Sequence, residues 1–132
     1  MTRQLFVNLA VEDLQRTIAF YTALGFEFDP KYTDEKATCM IIGENNFAML
    51  LVKPFFRSFL NKELCDAKQS TEVLLALTCG SRAEVDDMVA KAVAAGGKIP
   101  REPQDHGFMY AHAFEDLDGH IWEPFYMEAA QG

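Results

Sequence analysis

The chain is short of the residues that several function classes require. It has three cysteines, Cys39, Cys65 and Cys79, an odd number with no CxxC pair. That is neither a disulfide framework nor a zinc motif. They are read as reduced thiols of a cytoplasmic protein, since nothing marks Cys39 or Cys65 with the lowered pKa of a reactive thiol. Basic residues are outnumbered, 12 Lys and Arg against 20 Asp and Glu, for a formal net charge of -8. Phosphate-backbone binding needs clustered Lys and Arg, so no nucleic-acid partner is expected. No apolar run approaches the roughly 20 residues that span a bilayer, so no membrane partner is expected either. In the opening stretch MTRQLFVNLAVEDL the apolar run is too short for a signal peptide, and acids follow at once.

What is present suits a globular domain: 132 residues, 49% of them hydrophobic and 24% charged. By length this is a single domain over residues 1–132, large enough to build a core. LFVNLAV at 5–11 reads as a strand. Asp13 then offers an N-cap to LQRTIAFYTAL, and Gly25 a left-handed stop. FEFDPKY reads as strand and turn, while ATCMIIG and FAMLLV flank the turn ENN. Pro54 suits the first turn of a helix in KPFFRSFLNKELCDAKQS, with Phe56, Phe59, Leu60 and Leu64 on one face. The order then restarts. EVLLALTC is a strand, SRAE at 81–84 a capping box, and Val85, Met88, Val89, Ala92 and Val93 a helix face. KIP begins a strand, and GFMYAHAF and HIWEPFYM are the last two, joined by EDLDG. The fold class is therefore α+β, with the order βαβββ occurring twice: repeat one at 3–53, a connecting helical segment at 54–71, repeat two at 72–128.

Two separated stretches, VNLAVEDLQRTIAFYTALGFEF and FEDLDGHIWEPFYM, together with this repeat, resemble the vicinal-oxygen-chelate superfamily. Its members include glyoxalase I, bleomycin-resistance proteins, fosfomycin-resistance enzymes and extradiol dioxygenases. The chain is most similar to uncharacterised proteins labelled as predicted lactoylglutathione lyases. The resemblance implies a concave mixed sheet and a homodimer. It also implies a metal site with ligands from four strands, and those positions here are Phe6, Leu50, Leu74 and Glu123. Only Glu123 is a donor, with Glu72 two residues before Leu74 as the nearest other one. A divalent metal wants three or four donors, so no cofactor is expected. Any metal that did bind would take Glu123 and His112.

A two-residue turn centred on Leu117 and Asp118 would set His112 opposite Glu123, Tyr110 opposite Phe125 and Phe114 opposite Ile121. Since the resemblance places the Glu123 position inside the concave sheet, Glu123, His112 and Tyr110 become candidate catalytic residues there. A shift of one residue would move His112 to the other face. The rest of the cup would carry Phe6, Asn8, Leu50, Leu74, Thr78 and Phe125 as ligand-binding residues, with Phe56 and Phe59 as a lid. His106 and His120 read as loop and turn residues, and Trp122 as packing on the opposite face from Glu123.

The leading expectation is a superfamily protein that binds a small, partly apolar molecule without the usual metal, with catalysis through Glu123 and His112 left open. One alternative is a metal-dependent glyoxalase-like lyase or extradiol-dioxygenase-like enzyme with rearranged ligands. The other is a drug-sequestering protein of the bleomycin-resistance type, whose acidic, aromatic-lined groove would suit a cationic ligand.

Overall fold

Apolar LFVNLAV forms β1 (Leu5–Val11). Asp13 caps α1 (Leu14–Ala23) by accepting the Arg16 N–H at 3.2 Å. The helix buries Leu14, Thr17, Phe20 and Tyr21. It ends at Gly25, φ 98°, where the Phe26 N–H returns to the Tyr21 carbonyl at 3.1 Å. Then come β2 (Glu27–Asp29), a 3-10 turn over Pro30–Tyr32, β3 (Ala37–Ile41), β4 (Asn46–Val52) and α2 (Lys53–Arg57). The strands form a mixed sheet of order β1-β4-β3-β2, with β1 and β4 parallel and the other pairs antiparallel.

These elements make up the first of two compact units, Met1–Asp66 and Ala67–Gly132, in a computed structural model that describes residues 2–128.

In this first unit β1 and β4 pair Phe6 with Phe47, Asn8 with Met49 and Leu9 with Leu50. Paired residues share a face. Phe6 and Asn8 therefore lie with Phe47 and Met49, and Leu50 lies with Leu9 on the other face, fully buried. The placement of Leu50 beside Phe6 and Asn8 is corrected: parallel pairing sets even positions of β1 against odd positions of β4, and Leu50 is core.

The helix after Pro54 is also shorter than its periodicity predicts. It stops at Arg57, because the N–H groups of Ser58, Phe59 and Leu60 close tight three-residue turns and the Ser58 hydroxyl donates to the Phe55 carbonyl at 2.6 Å. Phe56 stays in the helix. Phe59 lies beyond it, 69% exposed, with its ring edge-on to Phe55 at 5.1 Å.

The second unit repeats the plan with β5 (Leu74–Thr78), α3 (Arg82–Ala94), β6 (Gln104–Asp105), β7 (Met109–Ala111), β8 (Phe114–Glu115) and β9 (Ile121–Met127). The Ser81 hydroxyl accepts the Glu84 N–H at 3.1 Å. The Glu84 carboxylate accepts the N–H of Gly80 rather than that of Ser81, so the capping box is displaced by one residue at its return arm. The sheet order is β5-β9-β7-β6 with β8 also on β9, and β5 runs parallel to β9. The two units thus share one topology: first strand parallel to last, the remaining pairs antiparallel.

The strand expected to begin at KIP hardly forms. Pro100 and Pro103 lack the N–H that a ladder needs. Only Lys98, bridged to Glu115, and the pair Gln104–Asp105 engage the neighbouring strand. Arg101 sits between those prolines.

Candidate functional site

The turn EDLDG sets the geometry of the site. Asp116 pairs with His120, its N–H donating to the His120 carbonyl at 2.9 Å. Its carboxylate accepts the N–H groups of Asp118 and His120, both at 2.9 Å. The loop therefore holds three residues, Leu117 to Gly119, and closes through Gly119 at φ 94°. A Cβ at that glycine would fall 2.7 Å from the Ala67 backbone, so the position is closed to side chains on two counts.

The extra loop residue shifts the register from the two-residue expectation. Phe114 pairs with Trp122, Glu115 with Ile121, Ala111 with Phe125 and Tyr110 with Tyr126. His112 faces Pro124, donating its N–H to the Pro124 carbonyl at 3.1 Å. Proline cannot return the second bond of that pair, and the strand accordingly divides into β7 and β8 at this point.

One face of the second sheet thus carries Tyr110, His112, Phe114, Trp122 and Pro124. This is the face packed under α3: Phe114, Trp122, Val85 and Val89 are buried, and the Tyr110 hydroxyl donates to Asp86 of α3 at 2.6 Å. The expected meeting of His112 and Tyr110 with Glu123 is corrected by this register, because Glu123 points from the opposite face. Trp122 lies opposite Glu123, as its alternation predicts.

Each residue under α3 has a defined state. The hydrogen bond to Asp86, with burial second, pushes the Tyr110 phenol up to about 12, so it stays a donor. The Arg82 guanidinium lies 5.3 Å from its ring centroid, ion-paired to Asp105 at 2.8 Å. Burial holds His112 below its ordinary value, against the opposing pull of Asp86. Its Nδ1 accepts the Ala113 N–H at 2.9 Å, which places the proton of the neutral ring on Nε2. Among the cysteines, burial raises Cys39 and takes Cys79 up to about 11, away from thiolate chemistry.

The other face carries Glu123 with Ile121 and Phe125, and beside them on β5 Leu74, Ala76 and Thr78. Four of the residues named from sequence, Leu74, Thr78, Glu123 and Phe125, therefore do share one face. This face is open: Leu74 is 55% exposed, and Ala76 and Thr78 are exposed too. Arg101, which sequence reasoning missed, holds Glu123. Its Nη2 donates to Glu123 Oε2 at 2.6 Å, with the two side chains 29% and 20% exposed. A basic residue between two prolines, opposite a strand rich in alanine, was the signal available. Ala111 at the end of β7 and Ala113 just beyond it are small and buried.

The donor set does not fit a divalent metal. On its face Glu123 is surrounded by Leu74, Ala76, Ile121 and Phe125, and its carboxylate is already bonded to a guanidinium. His112, the other ligand named, lies across the sheet. Among the described residues no three His, Cys, Asp or Glu side chains gather as a metal-binding group. In the first unit, Phe6 stacks on Phe47 with centroids 4.7 Å apart, and the exposed Asn8 donates to the Phe6 carbonyl at 3.3 Å. That face is aromatic and offers one amide.

The family model of the Glyoxalase/Bleomycin resistance protein/Dioxygenase superfamily matches residues 3–123. Among solved structures, a hypothetical protein from S. aureus is 29% identical with a TM-score of 0.80, covering 98% of this chain and 95% of that one. A glyoxalase-related enzyme from Fulvimarina pelagi is 19% identical with a TM-score of 0.79, covering 96% and 88%. A genomically encoded fosfomycin resistance protein from Listeria monocytogenes is 19% identical with a TM-score of 0.69, covering 100% and 96%. The last two similarities concern the fold alone. No curated protein matches the sequence. With the family match spanning nearly the whole chain and the βαβββ plan present in both units, the chain belongs to the Glyoxalase/Bleomycin resistance protein/Dioxygenase superfamily.

Proposed function

We propose that this chain is a metal-independent member of the superfamily that binds a small, partly apolar molecule on the open face of its second unit. The observation that carries this reading is the 2.6 Å Arg101–Glu123 pair, set into a face that also carries Leu74, Ala76, Thr78, Ile121 and Phe125, with Ala111 and Glu115 beside them on the neighbouring strands. Apolar side chains with a few placed polar groups are the usual lining of a ligand site. Leu74, Ile121 and Phe125 take the apolar body, and the ion pair takes the polar end. Binding is favoured over turnover by Glu123 and His112, because a general acid–base pair must reach one substrate and these two face opposite sides of a sheet.

The test is a titration of the full chain with small aromatic ligands, followed by amide resonances. Shifts confined to Leu74, Ala76, Glu123 and Phe125 support the reading. Shifts confined to residues under α3, or none anywhere, refute it. We also take the working assembly to be a homodimer, and light scattering at twice the monomer mass is the expected result.

A further inference from the structure

Arg101 and Glu123 do not exhaust each other. A guanidinium has five N–H donors. Two are used, Nη2 on Glu123 Oε2 at 2.6 Å and Nη1 on the Glu102 carbonyl at 3.1 Å. Among the described residues no further partner engages Arg101, and none engages Glu123 Oε1. Three donors and one strong acceptor thus remain on one pair, partly open to solvent on the Leu74–Phe125 face.

The pair is also electrically neutral as a unit. A ligand carboxylate drawn to the guanidinium comes equally close to the Glu123 carboxylate, and a ligand ammonium drawn to Glu123 comes equally close to Arg101. Attraction and repulsion at similar distances largely cancel, while the ion still loses hydration against an apolar wall. A neutral group carrying an acceptor beside a donor faces no such conflict. Its acceptor takes a guanidinium N–H, its donor goes to Oε1, and both bonds are strengthened by a charged partner. The short, exposed side chain of Ala76, paired with Glu123 across the two strands, leaves room for a planar head beside the carboxylate.

We propose that the Arg101–Glu123 pair selects ligands whose polar end is a neutral carboxamide or ureido group on an apolar body, over carboxylates and amines of the same shape. This rests on the ligand-binding reading above and adds the chemical class of the ligand. It also removes the cationic drug from the candidates.

The experiment titrates the full chain with benzamide, benzoate and benzylamine, reading the amides of Ala76, Glu123 and Phe125 and the Arg101 Nε–H. Benzamide is expected to bind about ten-fold more tightly than either ion, the equivalent of one charge-assisted hydrogen bond. Arg101→Met should erase the preference. Glu123→Gln removes the opposing charge and should make benzoate the best of the three. Benzoate or benzylamine binding wild type as well as benzamide, with the same resonances moving, overturns the selectivity and leaves the ligand-binding reading intact. An unchanged order in Glu123→Gln does the same. If no probe moves these resonances, both readings fall.

Discussion

Glu123 takes its chemistry from its neighbours rather than from its place in a motif. With Arg101 at 2.6 Å and apolar side chains around it, it is a neutralised hydrogen-bonding group on an open face. Removing the arginine leaves a carboxylate that has lost both its charge partner and some of its water. Arg101→Met should therefore lower unfolding free energy by about 1 kcal/mol, and Arg101→Met with Glu123→Gln should recover part of it, as measured by urea denaturation. His112 makes a separate statement. Its folded pKa is lowered by burial from 6.5, so the unfolded chain takes up the proton first as pH falls. Stability is full above pH 6.5 and is lost as pH drops through the lowered folded value. His112→Asn should flatten that loss, seen as a smaller fall in urea midpoint between about pH 7.5 and about pH 5. Neither Arg101 nor the true surroundings of His112 were legible from the sequence. Arg101 is distant from Glu123 along the chain, and the side on which His112 points depends on one loop residue.

At the level of elements, much was legible because local chemistry fixes it. Asp13 and Ser81 cap their helices as their side chains dictate, and the apolar runs at 5–11 and 121–127 are strands. What failed were features decided between elements. The hairpin register turned on whether EDLDG closes as two residues or three, and Gly119 in the left-handed region makes it three. The pairing of Leu50 turned on parallel register, which alternation within a strand does not reveal. The short α2 shows turn formation at Ser58 overriding a helical spacing of phenylalanines. Gly119→Ala tests the turn. It meets both a positive φ and the backbone of Ala67, whereas Gly25→Ala, at φ 98°, meets open space. The first should cost about 3 kcal/mol or more and the second about 1 kcal/mol, compared by denaturation midpoints. Equal costs would mean that the 67–68 segment does not lie against the turn.

For the whole molecule, the repeated βαβββ order and the two end motifs were enough to indicate the superfamily, and the match over residues 3–123 agrees. Fold does not carry function across such a family, since function resides in the site. Of the four positions that the resemblance implies as metal donors, Phe6 and Leu74 carry no donor atom, Leu50 is buried in the core, and Glu123 is held by an arginine. Metal binding to freshly purified full-length protein, exchanged against nickel, zinc, iron and manganese and quantified by elemental analysis, tests this most directly. The account predicts far less than one equivalent of any of them, unchanged by Glu123→Gln. One tightly held equivalent, lost in Glu123→Gln, would contradict it.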